Sequence, residues 1–336
     1  MRPALQISHE PRLSEAQLAG DWDLDCLAHH PRRQALLCRD ARWDVEFVSA
    51  WDADQLVGCA VLARSTVATL TDPELARALE LVAPQPIDLS RLMFLGSPVE
   101  YASGVAVKRG IRLEPAEVSR AIVAAAARAA HSRQLSLGTI FAGPTLTEHL
   151  ADGAAAVPLT ERAAIVGPFA DFEQYLSAQS GSRRAMIRRE LRTISRIGLE
   201  VEVLDLEAAF AAGACELIAE LKVRHGLPEA PRLVRLRVQR WASASAGAVR
   251  AILVRAGGRL VAVALTAQCD RHHEVYEVGL SESFADRVHA YALACFYEPV
   301  RLLVEQEGDI LDLGVGTTEA KVLRGATLEP SYGYFR

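Results

Sequence analysis

Residues 309–325 read Asp309-Ile-Leu-Asp-Leu-Gly-Val-Gly-Thr-Thr-Glu-Ala-Lys-Val-Leu-Arg-Gly325, and the interpretation of the whole chain starts from them. It begins as a short apolar strand, residues 310–313, and then reaches a Gly-x-Gly bend at Gly314 and Gly316. Glycine just after a buried strand lets the backbone turn tightly and lets a ligand approach it. Most Gly-x-Gly pairs are ordinary turns, so the meaning of this one depends on whether it ends a repeated pattern.

The composition sets broad limits on the class of protein. The chain has 336 residues, of which 50% are hydrophobic, and a formal net charge of -5. This length suffices for two domains of ordinary size. No apolar run reaches the roughly 18 residues that a membrane-spanning helix needs, and the N-terminus does not read as a signal peptide. The six cysteines are scattered without a C-x-x-C pair, which predicts reduced thiols and a cytoplasmic location.

The predicted elements follow the same order in both halves of the chain. Alternating apolar residues and turn residues predict a hairpin, then a strand, a long helix and a last strand. In the first half these are 45–51 with 56–62, 92–95 and 99–107, 114–133 and 135–140. In the second half they are 249–254 with 260–265, 275–280, 285–307 and 310–313. The order predicts an internal duplication, the alternative being a chance similarity between two amphipathic units.

This order of elements resembles the GNAT (Gcn5-related acetyltransferase) fold, and the whole chain resembles a tandem GNAT protein of the FemABX-like aminoacyl and peptidyl transferases. The resemblance is carried by Phe169-x-x-Phe172-x-x-Tyr175-Leu176, the arginine-rich helix after it, Gly279, and Leu311-Asp-Leu-Gly followed by Lys321 and Gly325. It implies an α/β (α+β) fold of two GNAT-like units, each a mixed twisted sheet flanked by helices. The expected units are 1–165, with 1–42 as an irregular lead-in, and 166–336, which holds the basic helix and the active-site loop.

The resemblance also implies a reaction centre. A family lysine in the loop after the last strand corresponds to Lys321, although Ala320 replaces the aromatic residue that usually precedes it. Acyl transfer to an amine requires a proton to leave the nitrogen and a positive charge or donor for the oxyanion, and Lys321 suits the second task. Tyr276 and Glu277 on the third strand suit proton handling. Neighbours on a strand face opposite ways, so only one of these two is expected in the cleft.

Asp312 completes the predicted catalytic set. For Glu277 and Asp312 the alternative is a structural carboxylate that pairs with a neighbouring side chain. No metal site is predicted. Adjacent histidines point different ways, so the pairs His29-His30 and His272-His273 are expected in solvated turns.

The most distinctive local feature is the basic segment 182–196. Arg184, Arg188, Arg192 and Arg196 recur every four residues, and Arg183 and Arg189 flank this row. Like charges at that spacing repel by about 0.2–0.5 kcal/mol per pair, so the row predicts an anion against the helix, a phosphate backbone or a phosphorylated substrate. Arg324 is added to this phosphate-binding set. The alternative is a solvated basic face whose charge repulsion is relieved by Glu190 and Glu200.

The coenzyme A signature of GNAT enzymes is missing. Neither 108–114 nor 281–289 contains the Arg/Gln-x-x-Gly-x-Gly/Ala loop that holds a pyrophosphate at a helix N-terminus. Since FemABX-like families take their acyl group from aminoacyl-tRNA, the resemblance implies that donor as substrate and partner, with no cofactor. It also implies a small amine acceptor, from a natural product or a cell-wall precursor, contacted by Glu100, Tyr101 and Lys108. An acyl-CoA-dependent N-acyltransferase and a non-catalytic tandem-GNAT binding protein remain the alternatives.

Overall fold

The computed structural model describes residues 5–24, 26–67, 73–82, 88–150 and 156–335. The chain forms two compact units, Met1–Glu161 with Glu329–Arg336, and Arg162–Leu328. Each unit is a mixed sheet flanked by helices, which confirms the predicted α/β fold of two GNAT-like units. The C-terminal segment was assigned to the second unit from sequence but lies in the first, because its strand pairs there.

The first unit is built around the hairpin β3–β4 and the long helix α4. Its elements are β1 (Gln6–Glu10), α1 (Glu15–Leu18), β2 (Trp22–Asp23), α2 (Pro31–Gln34), β3 (Trp43–Asp52), β4 (Gln55–Ser65), α3 (Pro73–Val82), β5 (Leu92–Leu95), β6 (Ala106–Lys108), α4 (Pro115–Ser132), β7 (Ser136–Ala142) and α5 (Pro144–Leu150).

The second unit follows the same plan around a second hairpin, β10–β11. Its elements are β8 (Val157–Val166), α6 (Phe172–Ser177), α7 (Gly181–Ile197), β9 (Leu199–Leu204), α8 (Leu206–Ala211), α9 (Ala214–Arg224), α10 (Pro231–Ala244), β10 (Val249–Ala256), β11 (Arg259–Cys269), β12 (His272–Leu280), α11 (Arg287–Ala292), α12 (Glu298–Glu305), β13 (Ile310–Val315) and α13 (Thr318–Leu323). The strand β14 (Thr327–Phe335) then carries the chain back into the first unit.

The sheet of the first unit runs in the order β1-β3-β4-β5-β7-β14, with β5 and β7 parallel. Because β1 pairs with β3 along its whole length, the predicted irregular lead-in is wrong for residues 6–10. The predicted strand 99–107 is also mostly wrong. Tyr101 has φ 50°, a left-handed conformation that interrupts a strand, so the strand is reduced to Ala106–Lys108, with one isolated bridge between Ser103 and Ala142.

The C-terminal strand closes the sheet of the first unit. Tyr332, Tyr334 and Phe335 pair with β7 in antiparallel register. The ring of Phe335 lies directly over Gly138, where a Cβ would come within 2.1 Å of it. The same ring packs edge-on against Phe94, with ring centroids 6.2 Å apart. The absence of a side chain at Gly138 therefore allows this aromatic ring to approach the strand closely.

The sheet of the second unit runs in the order β8-β13-β12-β11-β10-β9 and is covered on both faces. Successive strand residues face opposite sides, and Ile252, Val254 and Ala262 pack into a core with α6, α7 and the helix that follows β12. On the other face a Cβ at Gly279 would lie 2.6 Å from the amide nitrogen of Ile218, so a glycine is needed for α9 to pack this closely.

The long helix of the second unit contains a wide turn. The α-helical segments α11 and α12 are joined by a π-helical turn at Leu293–Tyr297. Pro299 lies in the first turn of α12 and has no N–H to donate, and its ring would crowd the carbonyl of Cys295 in a regular α-helix. The widened turn relieves this clash while the helix continues. Within the described residues, no helix has the length and apolar character needed to cross a bilayer.

Candidate active site

The strands β12 and β13 diverge in the middle of the second sheet. They pair in parallel only where residues 272–274 meet 310–312. Beyond that point β13 shifts its register against β8, between Asp312 and Val315. We call this divergence the splay: beyond it β12 and β13 no longer pair with each other.

The glycine bend at the end of β13 is tight and open. Gly314 and Gly316 have φ of 68° and 74°, which a residue with a Cβ adopts only with strain. A Cβ built on either glycine would meet no atom within 4 Å. In the first unit the sequence Leu135-Ser-Leu-Gly138 matches Leu311-Asp-Leu-Gly314, but there Phe335 covers the glycine. The second unit is therefore the one in which this motif leaves room beside the backbone.

Lys321 lies on α13, directly after this bend. Its side chain is buried, with the residue 4% exposed, and Nζ donates to the carbonyl oxygens of Gly314 at 3.0 Å and Val315 at 2.9 Å. Burial lowers the pKa of Lys321 to about 8, although the negative charge of Asp312 acts in the opposite direction. An ammonium group has three N–H donors, and in the described part of the chain the third has no partner. Lys321 therefore holds the bend and keeps one donor available.

Asp312 is occupied by structural contacts. One oxygen accepts from Arg162, with its Nε at 2.7 Å, and the other accepts from the backbone N–H of Gly314 at 2.7 Å. Both oxygens are thus engaged, which supports the structural alternative for Asp312, a carboxylate paired with its neighbours. Arg162 neutralises this carboxylate, so the charge of Lys321 is not paired with a carboxylate of its own.

Tyr276 and Glu277 face the same side of the sheet, whereas the prediction assumed that neighbours on a strand face opposite sides. Leu265 pairs with Glu277 and Thr266 with Val275, so Tyr276 is the extra residue of a β-bulge. A bulge re-aims the side chains beside it. As a result both residues contact Arg237 on α10.

The side chains around Glu277 form a balanced charge cluster. Arg237 pairs with Glu277 and, at 2.9 Å, with Glu229, while Lys222 lies 3.4 Å from Glu229 and 3.9 Å from Glu277. Although burial opposes it, the hydrogen bond with Glu229 and the charge of Glu277 raise the pKa of Arg237. Trp241 stacks on Tyr276 with ring centroids 4.3 Å apart. These contacts support the structural alternative for Glu277, and Tyr276 packs beside it.

The basic segment forms α7, as predicted. Ser180 caps its N-terminus, and Gly198 ends it at φ 73°. Arg188 pairs with Glu173 at 2.9 Å, and Arg184 donates to the carbonyl of Ser177 at 3.4 Å. The remaining arginines of the segment have no side-chain partner among the described residues: Arg183, Arg189, Arg192 and Arg196. Acidic neighbours therefore do not relieve most of the charge repulsion within the arginine row.

Arg324 does not belong to this exposed set. It is 5% exposed, donates through Nη2 to both oxygens of Glu190 at 2.8 and 3.0 Å, and lies over the ring of Phe296. Tyr297 donates a further hydrogen bond to Glu190, and Tyr175 donates to the carbonyl of Arg324 at 2.7 Å. The prediction of Arg324 as a phosphate ligand is therefore wrong, because its guanidinium anchors the lysine-bearing helix α13 to α7.

The three predicted acceptor residues lie in the first unit. Glu100 pairs with the buried guanidinium of Arg33 at 2.5 Å. The ring of Tyr101 packs edge-on against Phe141, and Nζ of Lys108 lies 5.2 Å from the centroid of Trp22. Glu100 and Lys108 thus have contacts that stabilise their own unit.

Both histidine pairs are buried, so the prediction of solvated turns is wrong. Each of the four rings is at most 7% exposed. Burial lowers the pKa of His30 and of His273 to about 4. His273 packs against Gly308, where a Cβ would come within 2.8 Å of its ring. Among the described residues, no three His, Cys, Asp or Glu side chains are grouped as a metal would require.

Sequence reasoning missed the anchors of the site. Arg162, Arg237 and Glu190 each join segments that are far apart in the chain. One signal was present for Glu190, since it is the single acidic residue of α7. A lone acid in a basic amphipathic helix is a candidate for an inward-facing partner.

Comparisons with known proteins agree with this geometry. A family model described as an acetyltransferase (GNAT) domain matches residues 181–322. No curated protein sequence matches the chain. Among solved structures, FemX is similar with a TM-score of 0.58 at 11% identity, covering 92% of each chain. The structure of L-PGS from Bacillus licheniformis gives 0.57 at 10% identity, covering 93% of this chain and 87% of that one.

A further structural neighbour is the C-terminal domain of a putative lysylphosphatidylglycerol synthetase from Agrobacterium fabrum. It has a TM-score of 0.57 at 14% identity and covers 90% of this chain and 86% of its own. These similarities show that the chain shares its fold of two GNAT-like units with these solved structures. The domain match, which spans α7 to α13, confirms an acyltransferase domain in the second unit.

Proposed function

We propose that this chain, which has two GNAT-like units and matches the family model of a GNAT acetyltransferase domain over residues 181–322, moves an aminoacyl group from aminoacyl-tRNA to an amine and forms an amide. The observation that carries this proposal is Lys321 at the open glycine bend, with a charge that no carboxylate of its own neutralises. A fixed positive charge at such a place is suited to stabilise an oxyanion.

In this reaction the acceptor nitrogen attacks the carbonyl carbon of the aminoacyl ester. The C–N bond forms, the carbonyl oxygen takes the negative charge, and the C–O bond to the terminal ribose then breaks. The ribose hydroxyl leaves with one proton, and the nitrogen loses one, so the products are an amide and free tRNA. Lys321 would donate its third N–H to the developing oxyanion while its other two hold the bend.

The exposed arginines of α7 support a polyanionic donor. Arg189, Arg192 and Arg196 lie on one helix without acidic partners in the described residues, and a phosphate backbone would supply them. The missing coenzyme A loop supports the same donor over acyl-CoA. Such a donor also favours a cytoplasmic protein, as the scattered cysteines do. A small amine, such as a natural-product or cell-wall precursor, completes the proposal as acceptor.

A binding titration tests the donor. Purified protein is titrated with bulk tRNA and, separately, with coenzyme A, each at low and at moderate salt. Salt-sensitive tRNA binding without coenzyme A binding supports the proposal. Saturable coenzyme A binding with weak tRNA binding would favour the acyl-CoA-dependent alternative, since the family model that matches is that of an acetyltransferase domain.

Turnover separates catalysis from mere binding. Lys321→Ala should lower kcat far more than it weakens donor binding if Lys321 stabilises the transition state. Equal losses in the two quantities would mean that Lys321 only binds the donor. Donor binding by the native chain, with no acyl transfer to any amine tested, would favour the non-catalytic alternative.

A further inference from the structure

Exposed aliphatic side chains concentrate at the tip of the helical hairpin α9–α10. Of the nine large hydrophobic residues exposed in the described part of the chain, four lie between 223 and 236. They are Val223, Leu227, Leu233 and Leu236, which are 60%, 42%, 47% and 55% exposed. We call this set the hairpin tip.

The exposure follows from the two apolar faces of α10. Val234, Val238 and Trp241 lie on one face and are buried within the unit. Leu233 and Leu236 are one turn apart on the opposite side, where this packing leaves them in solvent. Isolated exposed aliphatic residues need no explanation, but four within one short segment indicate a surface that is covered in use.

Arginines surround these aliphatic residues. Arg232 and Arg240 are exposed and have no acidic partner among the residues that the structure describes. Arg224 and Arg235 also lie here, and each makes one exposed ion pair, with Glu282 and Glu207. Residues 223–240 contain five arginines and one glutamate, so the segment that carries the hairpin tip is basic, although the whole chain has a net charge of -5.

We propose that the hairpin tip docks on the surface of a membrane that contains anionic lipids. Aliphatic residues bordered by arginine are the pattern of helices that lie in a lipid interface, where the aliphatic groups enter the acyl boundary and the arginines meet phosphate. A protein partner is less suited, because energetic centres of protein interfaces are rich in Trp and Tyr, and residues 223–240 contain no aromatic residue. Nucleic acid would leave the aliphatic groups without apolar contacts.

The position of the hairpin tip gives this docking a use. The same helix α10 carries Arg237 and Trp241, which contact Tyr276 and Glu277 on β12 at the splay. Docking would therefore bring this side of the second unit to the lipid headgroups. The inference does not depend on the donor, so it stands or falls separately from the proposed function.

Vesicle sedimentation tests the docking. The full chain is mixed with vesicles of phosphatidylcholine alone, or of two parts phosphatidylcholine to one part phosphatidylglycerol. We expect binding to the anionic vesicles, with weaker binding at higher salt. The double variant Leu233→Ser with Leu236→Ser should weaken binding to the anionic vesicles about tenfold. The double variant Arg232→Gln with Arg240→Gln should weaken this binding about fivefold per arginine. The matched control is Leu81→Ser, which removes a leucine that is 54% exposed in the first unit and should change nothing.

Two further measurements keep the result interpretable. The serine variant should keep the unfolding midpoint of the native chain, since both leucines are exposed. A Leu236→Trp variant should show a blue-shifted emission when anionic vesicles are added. No binding to anionic vesicles, or binding that the serine variant leaves unchanged, would overturn the proposal. So would a native dimer that the serine variant converts to a monomer, because the hairpin tip would then bind a second copy.

Discussion

The buried ion pair between Arg324 and Glu190 should dominate the stability of the second unit. Arg324→Ala removes both hydrogen bonds to Glu190 and leaves that carboxylate, whose side chain is 16% exposed, without its cation. It also removes the contact of the guanidinium with the ring of Phe296. Removing one partner of a buried pair costs about 3–5 kcal/mol, because the remaining charge stays desolvated.

The matched control is Arg188→Ala on α7, the helix that also carries Glu190. Arg188 also pairs with a glutamate, Glu173, but their side chains are 50% and 69% exposed. Such a surface pair contributes about 0–1 kcal/mol. The two variants thus differ in burial while sharing the chemistry of the deleted pair.

Urea unfolding read by amide hydrogen exchange of peptides from α7 and α13 measures the effect in the second unit itself. We expect faster exchange and an earlier midpoint for Arg324→Ala and little change for Arg188→Ala. Arg324→Met with Glu190→Gln should recover part of the loss, because no buried charge then remains unpaired. An equal effect of Arg324→Ala and Arg188→Ala would refute the reasoning.

Three further predictions concern charge. Turnover should fall above the pKa of Lys321, about 8, because only the protonated form stabilises the oxyanion. Lys321→Arg should move this loss of turnover to higher pH, and a loss that stays at the same pH contradicts the role. Arg192→Ala with Arg196→Ala should lower the slope of log tRNA affinity against log salt by about one per arginine, whereas the exposed Arg128→Ala in the first unit should not. Between pH 6.5 and 4 the unfolded chain binds a proton at His273 that the folded chain does not. The free energy of unfolding should therefore decrease by about 1.4 kcal/mol for each unit by which the pH is lowered in this range. A His273→Gln variant should reduce that dependence in urea titrations, and an unchanged dependence would count against it.

Local patterns predicted the elements well because their causes are local. Apolar periodicity and the arginine spacing predicted α7, and the proline at its first turn predicted the start of α4. The position of Lys321 after a strand and a glycine bend follows from the same short-range logic. These features depend on neighbours within a few residues of one another.

The sequence did not predict the partners that are distant in the chain. Arg324 and Glu190 are 134 residues apart, and Asp312 and Arg162 are 150 residues apart. A sequence shows each charge but does not show which opposite charge neutralises it. The bulge at Tyr276 is a property of two paired strands and has no signature in one of them. The solvated-turn prediction for the histidine pairs failed for the same reason, since packing by other elements buries them.

The path of the last strand has a consequence for the duplication. Because β14 pairs with β7 and Phe335 lies over Gly138 and against Phe94, the first repeat takes its final strand from the end of the second. A gene fragment cut between the repeats would encode a first half with an open sheet edge, prone to pair with other chains. The first unit is therefore not encoded by one continuous stretch of the chain, and a fragment that ends before β14 lacks its last strand.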